Sequence, residues 1–278
     1  TSDLRLREIY KDFPKERKRY FEYKKNFLKL KNKKKLIVTG KKILEKRLRG
    51  QIDKSLPYMK VNTYKIDKTI PSNKLNVKNK IIIFAHCFFD SPHKHRKMLF
   101  NDFYEQLTFL LKLSKKYKKF KWFIKPHPAS FFQNEKALNE IISDKFNNVE
   151  ILNKNLSNKI IAESKPSLII TDHGTIAHEM AYFKIPVLNT GDNPHINYNF
   201  NIHAKSKKDI DNVIKNLNNS IKQINFNKKN IYEFVYMHFV YKNNIANEKK
   251  FIKSDFFGKQ DPKLNSENKI LSHIIKMD

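Results

Sequence analysis

From residue 79 the chain alternates short apolar runs with stretches whose apolar residues recur at helical spacing. Lys80–Ala85 (KIIIFA) has the length and composition of a strand buried on both faces. A loop over His86–Arg96 follows, and Phe100–Tyr117 then places Phe103, Leu107, Leu110 and Leu111 on one helical face. Lys121–Lys125 (KWFIK) predicts a second strand, ending in Pro126-His127-Pro128. A helix is expected around Asn134–Asp144, a short strand at Val149–Leu152, and a helix capped by Ser157 that runs to about Glu163. Ser167–Thr171 (SLIIT) and Pro186–Asn189 read as strands, separated by an amphipathic helix over Thr175–Phe183 that starts just after Gly174. Lys207–Leu217 reads as a helix, and residues 228–246 and 267–276 also look helical.

Before residue 79 the pattern is different. Residues 1–50 are polar and helix-forming, with basic runs at Lys15–Arg19 and Lys31–Lys35 and one apolar strand candidate, Leu36–Thr39. Helix resumes up to Arg49-Gly50, where glycine can close it. Residues 51–78, with Pro57 and Pro71, read as an irregular linker. Alternating short strands and helices predict an α/β fold with a doubly wound parallel sheet, Rossmann-like, preceded by a basic helical lobe. The expected division is 1–78 for that lobe and linker, 79–222 for the Rossmann-like domain, and 223–278 for helices packing on it.

Composition narrows the chemistry. Of the 278 residues 40% are hydrophobic and 13% aromatic, enough to build a sizeable core, so a disordered chain is excluded. Glycines are only five and scattered (40, 50, 174, 191 and 258), which excludes a phosphate-binding P-loop and a dinucleotide fingerprint. The one cysteine, Cys87, excludes an internal disulfide framework and a Cys-based zinc finger. No apolar stretch approaches the ~18 residues of a membrane-spanning helix, and no signal-peptide pattern opens the chain. The expected location is cytoplasmic.

The net charge is +30, from 57 basic and 27 acidic residues. Only seven of the basic residues are arginine, and the bias to Lys, Asn and Ile is also what an AT-rich genome produces. A positive surface still attracts an acidic glycan, nucleic acid or an anionic inner membrane leaflet. A basic nucleic-acid-binding protein would use Arg for base reading and phosphate clamping, and Arg is scarce.

Ligands of an open α/β sheet bind beyond the carboxyl ends of its strands. Three polar groupings fall there: His86-Cys87-Phe88-Phe89-Asp90-Ser91-Pro92-His93, Lys125-Pro126-His127-Pro128, and Thr171-Asp172-His173-Gly174-Thr175 with Glu179. Gly174 permits a tight turn, and the helix start at Thr175 favours an anion such as a phosphate. Glu179, one turn deeper on the same face, can accept from ribose hydroxyls; the bland alternative is a Thr175 cap and a solvated glutamate. His127, stiffened by a proline on each side, can act as acid toward a leaving phosphate, and Lys125 adds a point charge. Asp90, with His86 and His93 nearby, is the general-base candidate, although Asp90-Ser91-Pro92 is also an ordinary turn sequence. Histidines are numerous, but no His-Glu-x-x-His helix exists and His173 and His178 are badly spaced for one face, so no metal is expected.

The ordered set Lys125-Pro126-His127-Pro128, then Asp172-His173-Gly174-Thr175-x-x-x-Glu179, then Ile185-Pro186-Val187 resembles the donor-binding half of GT-B glycosyltransferases. It is most similar to bacterial capsule and surface-polysaccharide enzymes: capsular Kdo transferases, polysialyltransferases with their His-Pro motif, and CDP-glycerol glycerophosphotransferases. The likeness covers about residues 79–220. It implies a nucleotide-sugar donor as substrate, no separate cofactor, His127 and Thr175 at the donor phosphate, and Glu179 at the ribose or sugar. It also implies an acidic or phosphorylated polysaccharide acceptor, with peripheral contact to the anionic inner membrane. His173-Gly174 stands where these enzymes carry a Ser-Ser or Gly-Gly pair. Residues 1–78 are too short for the N-terminal Rossmann-like domain of a complete GT-B enzyme, so either the helical lobe serves the acceptor or a further domain precedes it.

Overall fold

The computed structural model describes residues 20–51, 63–88, 98–128, 132–142 and 146–241. The chain divides into two units between His238 and Phe239. The basic run Lys15–Arg19 and the helix expected over 267–276 lie outside the described residues.

Within the first unit six parallel strands form one open sheet: β1 (Lys80–Phe84), β2 (Lys121–Lys125), β3 (Val149–Ile151), β4 (Leu168–Thr171), β5 (Val187–Asn189) and β6 (Ile202–His203). Their order across the sheet is β3-β2-β1-β4-β5-β6. This is the doubly wound, Rossmann-like order, and its direction reverses between β1 and β4. The sheet is covered on both faces, as the continuous apolar runs require. Ile81, Ile83, Trp122, Ile124, Leu168 and Ile170 enter one core, with Leu107, Leu110 and Leu111 of α3 (Phe103–Lys116) and Ile210 and Ile214 of α7 (Lys207–Lys215). The alternate residues Ile82, Phe123 and Ile169 enter the other, with Ile161 of α5 (Asn158–Glu163) and Ala177 and Met180 of α6 (Ile176–Tyr182). Helix α4 (Phe132–Ile142) adds Leu138 to the first core, and α8 (Leu217–Lys222) adds Leu217.

Helix starts follow local chemistry. The Ser157 hydroxyl accepts from Lys159 N, as its position before an apolar run predicts. Asp102 accepts from Glu105 N at 2.7 Å while the Glu105 carboxylate accepts from Asn101 N at 2.8 Å, so α3 begins with reciprocal capping. β6 is only two residues long and has no legible pattern.

The amino-terminal lobe has two described helices, α1 (residues 20–29) and α2 (Lys33–Leu48). Leu36–Thr39, expected as a strand, lies inside α2. Its β-branched residues favour extended backbone only weakly, and tertiary packing decides. Gly40 and Leu44, four apart, are buried along one stripe, and Thr39 tolerates the helix by donating to Lys35 O at 3.0 Å. Gly50 closes the lobe at φ 87°, a conformation glycine adopts without strain.

Gly40 sets the place of α2. A Cβ there would overlap the Tyr232 carbonyl of α9 (Lys228–Tyr236) and crowd Tyr236 N at 3.2 Å. Alanine normally improves a helix interior by about 1 kcal/mol over glycine. Here overpacking, worth about 1–3 kcal/mol, opposes that gain. Gly40→Ala is therefore expected to destabilise by up to about 2 kcal/mol in urea unfolding, where propensity alone predicts the opposite sign.

Candidate functional site

The reversal of strand order places the ends of β1 and β4 side by side, with β2 beyond β1. From these ends come Ala85-His86, Lys125-Pro126-His127-Pro128, and Thr171 through Thr175. All of these except Asp172 and His173 line a cleft of about 110 Å³, whose walls include His86, Lys125, His127, Gly174, Thr175 and Glu179. Three groupings separated by tens of residues thus meet at one rim. Asp90 and His93 lie outside the described residues.

Lys125 is the last residue of β2, pairs with Phe84 across the sheet, and is 3% exposed. Its ammonium donates to the Lys154 carbonyl, and burial lowers its pKa from the ordinary value to about 8. His127, two residues on, is exposed at the cleft mouth. His86 packs against two rings, with centroids 4.6 Å from Phe103 and 4.3 Å from His173. His173 stacks on His86 and is tilted against Phe103, and its Nδ1 lies 2.7 Å from Asp172 Oδ2. Asp172 is fully buried and also accepts from the Thr190 hydroxyl at 3.3 Å. A Cβ on Gly191 would collide with the same carboxylate.

Gly174 is needed for space. A Cβ would sit 2.8 Å from Thr171 Oγ1 and 3.2 Å from Ile176 Cγ2. Thr175 stands before α6 in helical conformation and makes no side-chain cap; its hydroxyl accepts from Arg47 Nη2 at 3.3 Å. Glu179, on the first turn of α6, is 1% exposed rather than solvated. One oxygen pairs with Arg47 Nε, and the other accepts from the Tyr64 hydroxyl at 2.8 Å. Burial works against its negative charge, but Arg47 and the Tyr64 hydroxyl outweigh it and hold its pKa below the usual range. Tyr64 in turn is pushed well above its ordinary pKa by burial and by the facing carboxylate, so it stays a donor.

Arg47 and Tyr64 were missed in the sequence, and both come from the amino-terminal lobe and linker. Arg47 sits in a basic run 132 residues before its partner, where spacing carries no signal. The one available hint is its type: an arginine among many lysines marks a place where a planar fork does what an ammonium cannot. Among the described residues no group of three or more His, Cys, Asp or Glu is arranged to hold a metal ion.

On and behind α6 lie three histidines, His178 and His195 buried and His203 half-buried. His178 and His203 are each lowered to about 4 by burial, and His195, with ring centroids 5.1 Å from His203 and 6.5 Å from His178, is well below its ordinary value. Glu179 beside His178 opposes that shift and Arg47 adds to it. The unfolded chain therefore binds more protons than the folded one below about pH 6.5, so stability falls as pH drops. Each histidine contributes up to about 1.4 kcal/mol per pH unit in that window. Urea midpoints at pH 7.5 and 5.5 should show a clear loss on the acid side.

No protein-family model matches the chain, and no curated protein does. Among solved structures it is similar to UDP-GlcNAc 2-epimerase from Neisseria meningitidis bound to UDP-GlcNAc, at 18% identity over 70% of this chain and 51% of that one, TM-score 0.43. It is also similar to the β-Kdo 2,4-transferase KpsC of Thermosulfurimonas dismutans, at 11% identity over 72% and 55%, TM-score 0.43. A third is the wall teichoic acid polymerase TagF, at 13% identity over 76% and 49%, TM-score 0.37. The chain spans about half the length of each of these structures.

Proposed function

We propose that this chain is a glycosyltransferase that moves a sugar from a nucleotide-sugar donor onto a growing capsular or other surface polysaccharide. One observation carries the reading. Residues from three separate segments, His86, Lys125, His127, Gly174, Thr175 and Glu179, line a single cleft where strand order reverses, the place at which open α/β sheets hold nucleotides. Lys125 brings a desolvated positive charge to it, and the sequence motifs resemble those of GT-B donor sites. The excess positive charge of the chain suits an acidic or phosphorylated acceptor.

In this reading the acceptor hydroxyl attacks the anomeric carbon and its proton passes to Asp90, the base assigned from the sequence. The bond from that carbon to the donor phosphate breaks, and the electron pair leaves on the phosphate oxygen. His127 donates to that oxygen, and Lys125 supplies the charge that offsets it. A CDP-linked polyol-phosphate transfer would use the same cations around a different leaving bond. Among the described residues no helix is long and apolar enough to cross a membrane, and the lysines of α1 and α2 are the proposed peripheral contact with an anionic leaflet.

The first test is thermal unfolding with CMP, CDP, UMP and UDP. A ligand at a hundred times its Kd stabilises the folded state by about 2.7 kcal/mol, so a binding nucleotide must raise the midpoint. Products from CDP-, CMP- and UDP-linked donors then separate sugar transfer from polyol-phosphate transfer. A chain whose midpoint no nucleotide moves does not bind a donor in this cleft.

A further inference from the structure

Resting on the reading of the cleft as a nucleotide site, we propose that Arg47 is its diphosphate clamp and that Glu179 is the positioning residue that holds Arg47, making no contact with the ribose. Arg47 reaches the cleft from the last turn of α2, a helix whose seat against α9 depends on Gly40. Two described contacts hold its guanidinium. Nε pairs with the buried Glu179 carboxylate, and Nη2 donates to Thr175 Oγ1 at 3.3 Å.

These two bonds differ in strength. The first joins opposite charges away from solvent, with the second carboxylate oxygen already taken by Tyr64 at 2.8 Å. The second is long and ends on a neutral hydroxyl, so it is the one that yields to a charged oxygen. A phosphate entering between Thr175 and Lys125 meets the Nη edge of Arg47 without disturbing the Nε pair. A planar fork can hold a carboxylate on one edge and a phosphate on another, and an ammonium cannot.

A purely structural staple between α2 and α6 is the competing explanation. Burying an ion pair costs desolvation, and an apolar pair of similar volume commonly stabilises as well or better. The pair also sits in the cleft wall beside Lys125 and His127, where a staple has no reason to be. Arginine occurs seven times among 57 basic residues, so its presence at this position departs from the rest of the chain. With both oxygens of Glu179 engaged by Arg47 and Tyr64 and the residue only 1% exposed, little of the carboxylate is open to a ribose hydroxyl.

The experiment measures binding of CDP and UDP, and of their 2′-deoxy forms, to the full chain and to Arg47→Ala, Arg47→Lys and Glu179→Gln, at several salt concentrations. Arg47→Ala and Arg47→Lys should each weaken diphosphate binding at least about tenfold, the loss of a charge-assisted contact. Arg47→Ala should also flatten the salt dependence. Glu179→Gln should weaken ribo and deoxy forms by the same factor, and adding it to Arg47→Ala should cost nothing more. Arg47→Lys keeps the charge, so it remains informative if Arg47→Ala does not fold. Diphosphate binding equal to wild type in both Arg47 variants overturns the clamp. A Glu179→Gln loss confined to the ribo forms shows a ribose contact and overturns the positioning role. Wild-type protein that binds no nucleotide overturns the donor-site reading itself, and the clamp with it.

Discussion

His127→Ala is expected to lower turnover with a nucleotide-linked donor by about 10²–10⁴-fold, the usual contribution of a positioned acid. The melting temperature should hardly move. His127 is exposed at the cleft mouth, and its backbone is fixed by the prolines at 126 and 128, so deleting the imidazole removes chemistry and little packing. In the proposed reaction the departing phosphate gains charge as its bond to the anomeric carbon breaks, and a donor at that oxygen acts mainly in the transition state. The loss should therefore appear in kcat more than in KM. Measuring both, together with the unfolding midpoint, separates this role from damage to the fold. Wild-type kcat in a folded His127→Ala protein removes His127 from the reaction.

The strands that build the site were legible because their physics is local. KIIIF, KWFIK and LIIT are apolar at every position between their ends since both sheet faces are covered, and that signal survives without any tertiary information. Polar residues placed directly after such strands must lie at the carboxyl edge, so the meeting of Lys125, His127, Gly174 and Thr175 follows from parallel topology alone. What was not legible depends on packing between distant segments. Glu179 reads as a ribose acceptor or, more blandly, as a solvated helix residue, and nothing local shows that Arg47 covers it once α2 is docked. The docking itself turns on the missing side chain of Gly40 against the Tyr232 carbonyl, which no pattern announces. For the same reason Leu36–Thr39 reads as a strand in isolation and is helical in place. The pairing of His173 with Asp172 joins sequence neighbours, yet it depends on Asp172 being buried below Gly191 and Thr190.

Lys125→Met should stabilise the protein and impair donor binding together. A charged lysine at 3% exposure is held at a cost, expressed as a pKa lowered from 10.5 to about 8 by burial. One pKa unit corresponds to 1.36 kcal/mol, so removing the charge at pH 7 gains at most about 3 kcal/mol. Against this, the Lys154 carbonyl loses its donor, which costs about 1–3 kcal/mol. A net gain on the order of 1 kcal/mol is expected, as for a residue kept for function at the expense of stability. The pH dependence gives a sharper test, because the sign is fixed. Between about pH 8 and 10 the unfolded chain holds this proton and the folded chain does not, so wild-type stability gains from Lys125 as pH rises through that window. The Met variant lacks the gain. Diphosphate binding runs the other way: above about pH 8 the wild-type cleft loses its cation and affinity falls, by up to about tenfold per unit, while the variant is about 10–100-fold weaker at pH 7 and flat in this range. Urea midpoints and nucleotide titrations at pH 7 and 9.5 measure all four quantities. If the variant binds diphosphate as wild type does at pH 7, the buried ammonium serves the packing of β2 and not the donor.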